Sequence, residues 1–253
     1  MITITQTMGL LVVKTLKLTT GRNDIDKYST HMNACNQPGV KKAELKLLTV
    51  VFWDLHNFSN LCDILRASPE SVVEFLNEYY DEVEKVVSKY GGEVDKFMGD
   101  GVMALFRLKG HDNDDGTNDD AISAVNAAMN LKEFFQQSIK SKWREIWERK
   151  VSEKIDIGLK CGINTGQAIV AKVGTEKNQY TAIGSVVNYA SRFAGLAKDN
   201  HVLISQTTKS RVKYKFLSEL ISVKKLQHAK SFGGVTQCYL VLGRTDEIFP
   251  RTH

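Results

Sequence analysis

Between Ser68 and Phe106 the sequence writes a helix, a stop and a hairpin in direct succession. Ser68-Pro69-Glu70 offers an N-cap with proline at the first helical position, and Val72, Leu76, Tyr79, Val83, Val86 and Val87 recur at helical spacing up to Tyr90. Gly91-Gly92 is the stop such a helix needs. Residues 93–97 and 101–106 then read as two strands around Met98-Gly99-Asp100-Gly101, whose glycines suit a tight hairpin turn. A hairpin joins antiparallel strands, so the sheet built here is expected to be antiparallel with a helix against it.

The rest of the chain continues the mixture. A strand is expected over 46–55, a short segment over 58–65, an acidic loop over 111–120, and a helix over 121–140 that residues 143–150 extend. Strands at 155–163 and 167–173 are separated by Asn164-Thr165-Gly166, a strong turn signal. After an extended piece at 178–183, Gly184 opens a helix to about residue 198. Strand 202–205, helix 207–212 and strands near 221–226 and 237–242 complete the set. This order argues for an α+β fold, a ferredoxin-like sandwich with a mainly antiparallel central sheet and helices on its faces. The expected division is an N-terminal extension at 1–42, one domain at 43–245 and a tail at 246–253.

At 253 residues the chain has ample length to bury a core, and its 42% hydrophobic and 25% charged residues are ordinary for a soluble globular protein. A formal charge of +5, interrupted by acidic runs, does not imply nucleic acid binding. No run approaches the ~18 apolar residues of a transmembrane segment, and the first twenty residues lack a signal layout. Cys35, Cys62, Cys161 and Cys238 show no CxxC spacing and read as free or buried thiols, so a cytoplasmic setting is expected.

Two aspartates carry the first chemical signal. Asp54 closes the apolar run that begins at Leu48, and Asp100 sits in the hairpin turn. An apolar strand leaves its carboxylate at the end, where water, a cation or a phosphate reaches it. If the two strands are neighbours, both carboxylates converge on one spot, which suits a hard cation that also binds phosphate oxygens. Aspartates also cap turns for purely structural reasons, and that reading stands beside the first. On the helix after Gly184, Asn188 and Arg192 stand four residues apart and share a face, with Val187, Ala190, Ala194 and Leu196 available for the other side. An amide beside a guanidinium suits a sugar or phosphate oxygen, but a solvated helix face has the same pattern.

Four segments in order resemble the catalytic domain of class III nucleotidyl cyclases: Val50-Val-Phe-Trp-Asp54-Leu-His-Asn-Phe58, Gly91-Gly-Glu-Val-Asp-Lys96-Phe-Met-Gly-Asp100-Gly, Gly162-Ile-Asn-Thr-Gly166, and Tyr180-Thr181-Ala-Ile-Gly184-Ser-Val-Val-Asn188-Tyr-Ala-Ser-Arg192. The resemblance covers some 200 residues. It implies that Asp54 and Asp100 bind two divalent cations, Mg²⁺ or Mn²⁺, and that Lys96 and Thr181 read the purine. Asn188 and Arg192 would hold the ribose and stabilise the transition state at the α-phosphate. Lysine and threonine at the purine positions point to ATP, because guanylyl members usually carry acidic and cysteine residues there. The implied function is an adenylate cyclase making cyclic AMP and pyrophosphate at sites shared between two subunits of a homodimer.

Some positions depart from the family pattern. Trp53 replaces a small residue before the first aspartate, Ser185 replaces a common Asp or Asn, and His56 lies in the turn after Asp54. Lys224, Lys225 and Lys230 are candidates for the terminal phosphates. Gly91-Gly-Glu93 also opens a diguanylate cyclase hairpin, but that match ends after the glutamate. The alternatives are an inactive dimeric nucleotide-binding regulatory module, a guanylate cyclase, or an interaction domain whose aspartates only cap turns.

Overall fold

Strand β1, Glu44–His56, is the axis of the domain in this computed structural model, which describes residues 43–107, 119–173, 180–222 and 237–248. Antiparallel neighbours flank β1: β3 (Gly101–Arg107) on one side and the long β4 (Gly158–Lys172) on the other. β2 (Glu93–Met98) lies outside β3, and β5 (Tyr180–Ile183) pairs with the end of β4. Beyond β4 come β6 (Val202–Ile204), β8 (Gln237–Arg244) and β7 (Phe216–Ser222), giving the order β2-β3-β1-β4-β6-β8-β7. Among the described residues every pairing is antiparallel except β4 with β6. The fold is therefore the expected α+β sandwich with a mainly antiparallel sheet.

Alternation along β1 assigns the two faces. Val51, Trp53 and Leu55 join a core with α2 (Pro69–Lys89), α3 (Asp119–Phe134) and α4 (Lys140–Glu148), while Leu48, Val50 and Phe52 meet α5 (Ser185–Leu196) on the opposite face. α1 (Phe58–Ile64) follows β1, α6 (Gln206–Val212) links β6 to β7, and α7 (Thr245–Ile248) follows β8. A π-helical turn, Phe135–Ile139, joins α3 to α4 and buries Phe135 and Ile139, so the helix expected over 121–150 runs through with one irregular turn. Phe75 of α2 packs edge-on against Trp143 and Trp147 of α4 at 5.8 and 5.1 Å. These aromatic contacts seal the outer helical layer.

Helix α2 starts at the expected proline, though the Ser68 side chain makes no cap hydrogen bond. Its buried stripe is Ser71, Phe75, Tyr79, Val83, Val86 and Val87, which corrects the expected face: Val72 and Leu76 are only half-buried. The stop is as expected. Gly91 takes φ 74°, its N–H reaches the Ser88 carbonyl at 2.9 Å, and the Gly92 N–H reaches Val87 at 2.9 Å, the paired bonds of a left-handed helix end.

The largest correction concerns Asn164-Thr165-Gly166. No turn forms there, and β4 runs straight through all three residues. Tertiary partners override the local turn preference. The Asn164 amide donates to the Val186 carbonyl of α5 at 3.1 Å, and the Thr165 hydroxyl bonds Thr49 at 2.9 Å and Thr208 at 3.0 Å. Asn164 and Thr165 thus make polar seams from β4 to α5, β1 and α6. A second correction is β7, which begins at Phe216 and ends at Ser222, because Phe216 is buried in the core; residues 223–226 lie outside the described residues. On α5, Val186 and Phe193 are buried beside the expected Ala190 and Ala194, Val187 packs half-buried against the same core, and Leu196 is 36% exposed. The extension 1–42, loop residues 111–118 and Lys224, Lys225 and Lys230 also lie outside the described residues.

Candidate functional site

Asp54 and Asp100 are brought together by register. The last β1–β3 pair is Trp53↔Val102, so Asp54 lies one step past it, beside the turn that carries Asp100. Gly99 has φ 63°, and Met98 pairs with Gly101, so a two-residue turn presents Asp100 at the sheet end. The Asp100 carboxylate accepts hydrogen bonds from its own backbone N–H and from that of Leu55, yet burial and the Asp54 charge raise its pKa above the usual carboxylate range. The Asp54 contribution puts the two carboxylates within electrostatic reach of each other.

Lys160 stands across the β1–β4 pair from Asp54, with its ammonium 2.5 Å from the Asp54 carboxylate. Sequence reasoning missed this residue because it broke β4 at residue 164 and so had no register. The remaining signal was a lysine inside the otherwise apolar run 157–163. Trp53 is fully buried, and alternation sends it to the helical core, away from Asp54. Its bulk therefore does not enter the carboxylate site. Tyr80 braces the turn from α2: its hydroxyl donates to the Gly99 carbonyl and its ring lies 4.3 Å from that of Phe97. His56 is half-buried opposite Gly158, and Ser185 is the exposed first residue of α5.

Lys96 and Thr181, 85 residues apart, are in direct contact, with the Lys96 amine donating to the Thr181 hydroxyl at 2.9 Å. Asn188 and Arg192 occupy successive turns of α5. Asn188 is exposed, and the half-buried Arg192 guanidinium lies 5.7 Å from the Tyr189 ring. The six expected residues thus fall into three spatial pairs. Among the described residues no group of three or more His, Cys, Asp and Glu side chains converges. Two carboxylates leave most of a hard cation's coordination to other oxygens, as a site does when substrate phosphates complete it. Cys161 and Cys238 are buried thiols whose pKa values burial raises, so neither is a nucleophile poised for chemistry.

Comparison with known proteins identifies what carries this geometry. Residues 40–243 match the family described as Adenylate and Guanylate cyclase catalytic domain. Adenylate cyclase 1 of Rhizobium meliloti (strain 1021) is 30% identical over 210 residues, covering 81% of this chain and 29% of that protein. The receptor-type guanylate cyclase gcy-23 of Caenorhabditis elegans is 25% identical over 201 residues, covering 79% of this chain and 17% of that protein. The chain thus spans less than a third of the length of either curated relative. Among solved structures, the adenylyl cyclase CyaB from P. aeruginosa superposes with a TM-score of 0.66 at 30% identity, over 79% of this chain and 96% of that one. No helix among the described residues is long and apolar enough to cross a membrane. With its fold, its paired carboxylates and the match over 40–243, this chain belongs to the class III adenylate and guanylate cyclase catalytic domain family.

Proposed function

We propose that residues 43–245 form an adenylate cyclase that converts ATP to 3′,5′-cyclic AMP and pyrophosphate. The observation that carries the choice of ATP is the Lys96–Thr181 contact. Adenine presents an acceptor at N1 and a donor at its 6-amino group, whereas guanine presents the reverse. An ammonium only donates and a hydroxyl can accept, so this pair complements adenine.

In the reaction the ribose 3′-oxygen forms a bond to the α-phosphorus, the bond from that phosphorus to the oxygen bridging to the β-phosphate breaks, and the 3′-hydroxyl proton leaves to solvent. Such a displacement depends on positioning and on offsetting charge. Asp54 and Asp100 would hold two divalent cations, Mg²⁺ or Mn²⁺. The raised Asp100 pKa supports the fit, because burial and the neighbouring Asp54 charge both disfavour a bare carboxylate that a hard cation would stabilise. Bound there, the ions would acidify the 3′-hydroxyl and neutralise the triphosphate. Lys160 adds a cationic group at the same spot, of the sign a triphosphate requires. Asn188 would orient the ribose, and the permanent charge of Arg192 would meet the charge that develops on the transferring phosphoryl group.

The site would be shared between two copies of this chain, with the aspartates from one and Lys96, Thr181, Asn188 and Arg192 from the other. Exposed apolar residues on the β2–β3 hairpin (Phe97, Met98) and on β4 and β5 (Ile169, Tyr180, Ile183) support a covered surface there. These side chains are 38–48% exposed, which is costly for an apolar surface left in water.

The decisive assay incubates purified protein with ATP, or separately GTP, plus Mn²⁺ or Mg²⁺, and measures cyclic nucleotide and pyrophosphate. Cyclic AMP that disappears in Asp54→Ala is the expected result. Cyclic GMP formed from GTP in preference would make the chain a guanylate cyclase, and metal-dependent ATP binding without product would make it a regulatory module. In a dilution series, activity per chain is expected to fall as dimer gives way to monomer in sedimentation; constant activity from a monomer would remove the shared site.

A further inference from the structure

We infer that Asp95 is a specificity-determining positioning residue: it holds the Thr181 hydroxyl so that its oxygen meets the purine only as an acceptor. The inference rests on the adenylate reading of the Lys96–Thr181 pair and supplies what that pair lacks. A threonine hydroxyl has one hydrogen and two lone pairs and rotates to suit its partner. Left to itself it would accept from the 6-amino group of adenine or donate to the 6-oxygen of guanine with equal ease.

Asp95 removes that freedom. Its side chain is fully buried, and its Oδ2 accepts from the Thr181 hydroxyl at 2.8 Å. The same Oδ2 lies 3.0 Å from the Lys96 ammonium, which itself donates to the Thr181 oxygen at 2.9 Å. The carboxylate, paired with Lys96, has only acceptor oxygens, so the one hydroxyl hydrogen points into the protein. One lone pair of the Thr181 oxygen takes Lys96, and the other remains for a donor on the base. Lys96 spends one hydrogen on Asp95 and one on Thr181, leaving the third for an acceptor such as adenine N1.

Backbone geometry makes this triangle possible. Consecutive strand residues normally point to opposite faces. The β2–β3 register slips between Val94 and Lys96, which leaves Asp95 as the extra residue of a bulge. A bulge re-aims side chains, and here adjacent residues 95 and 96 both reach Thr181.

The test uses the full chain and two readouts, kcat/KM for ATP and GTP and displacement of a fluorescent ATP analogue by each nucleotide. Asp95→Asn keeps the shape but offers an amide that can donate, freeing the Thr181 hydrogen. The ATP-over-GTP ratio is expected to fall at least tenfold in both readouts. Thr181→Val should lower it similarly, and Asp95→Asn should add nothing in the Thr181→Val background, as residues acting through one another require. An unchanged ratio in Asp95→Asn, or additive losses in the double variant, overturns the inference.

Displacement from the wild-type protein tests the same point without any variant. Purine riboside triphosphate keeps N1 as an acceptor but lacks the 6-amino group, while inosine triphosphate carries the 6-oxygen. The expected order is ATP, then purine riboside triphosphate, then inosine triphosphate; equal displacement by the first two overturns the inference. If this order and the Asp95→Asn effect hold but no cyclic nucleotide forms, the catalytic reading falls and this one stands. If cyclic AMP forms and the ratio ignores Asp95, the reverse is true. A wild-type preference for GTP defeats both.

Discussion

Asp100→Asn is expected to lower cyclic nucleotide formation by about a thousandfold or more while raising the thermal midpoint of the metal-free protein. Losing the several kcal/mol that bound divalent cations supply to a phosphoryl transition state corresponds to about three decades of rate. The gain in stability comes from the opposite side of the same electrostatics. Burial and the neighbouring Asp54 charge raise the Asp100 pKa in the folded state. A raised carboxylate pKa means that the fold binds this proton more tightly than the unfolded chain does. The penalty is absent below the unfolded pKa, sets in as pH rises, and is complete above the folded pKa. At neutral pH, removing the charge therefore relieves the fold.

Asp54→Asn should abolish activity to a similar extent without that relief, since it strips the 2.5 Å partner from Lys160, whose side chain is only 15% exposed. Calorimetry of the two variants without metal, with turnover assays beside it, checks the contrast. Equal stability changes in both would mean that the two carboxylates do not share one electrostatic site. Added Mg²⁺ or Mn²⁺ should raise the midpoint of the wild type and leave both variants nearly unmoved.

Gly162→Ala is expected to destabilise the domain by about 3 kcal/mol or more, the upper end for overpacking a core. A Cβ there would lie 2.2 Å from the Ala194 nitrogen and 2.3 Å from the Ala190 carbonyl oxygen, both backbone atoms of α5. Helix backbone cannot step aside as a side chain can, so α5 as a whole must lift from β4. A drop of about 6–12 °C in thermal midpoint follows for a domain of this size. Because α5 carries Asn188 and Arg192, activity should fall further than the folded fraction does at the assay temperature. Gly158→Ala is the matched control. The three atoms nearest its Cβ all belong to the Asp199 carboxylate, the end of a side chain and not helix backbone, and its loss should be clearly smaller. Equal losses in the two variants would show that the β4–α5 contact does not set the position of the helix.

Much of this protein was legible before folding because its signals are local. Ser68-Pro69, Gly91-Gly92 and Met98-Gly-Asp-Gly101 each act within a turn of their own position, and the structure places a helix, its left-handed end and a hairpin there. The same locality misled at Asn164-Thr165-Gly166, whose turn-forming composition serves long-range hydrogen bonds to Thr49, Val186 and Thr208. Phe75 and Phe193 were overlooked as core residues because a hydrophobic stripe fixes a helix face only to within a residue or two, and the facing aromatic or sheet surface selects among them.

The sequence by itself determined the element types, the mixed and mainly antiparallel class, and the residue types available for chemistry, since propensity, capping and turn geometry act over a few bonds. Only the tertiary structure decided which of those residues meet. Lys160 reaches Asp54 through the β1–β4 register, and Thr181 reaches Lys96 across 85 residues of chain and Asp95 across 86, through a bulge. Strand register and side-chain direction depend on the whole packed sheet, because a one-residue slip moves every side chain to the other face. That global choice turned scattered polar residues into a carboxylate pair at the sheet end and a Lys96–Thr181 contact with the buried Asp95 behind it.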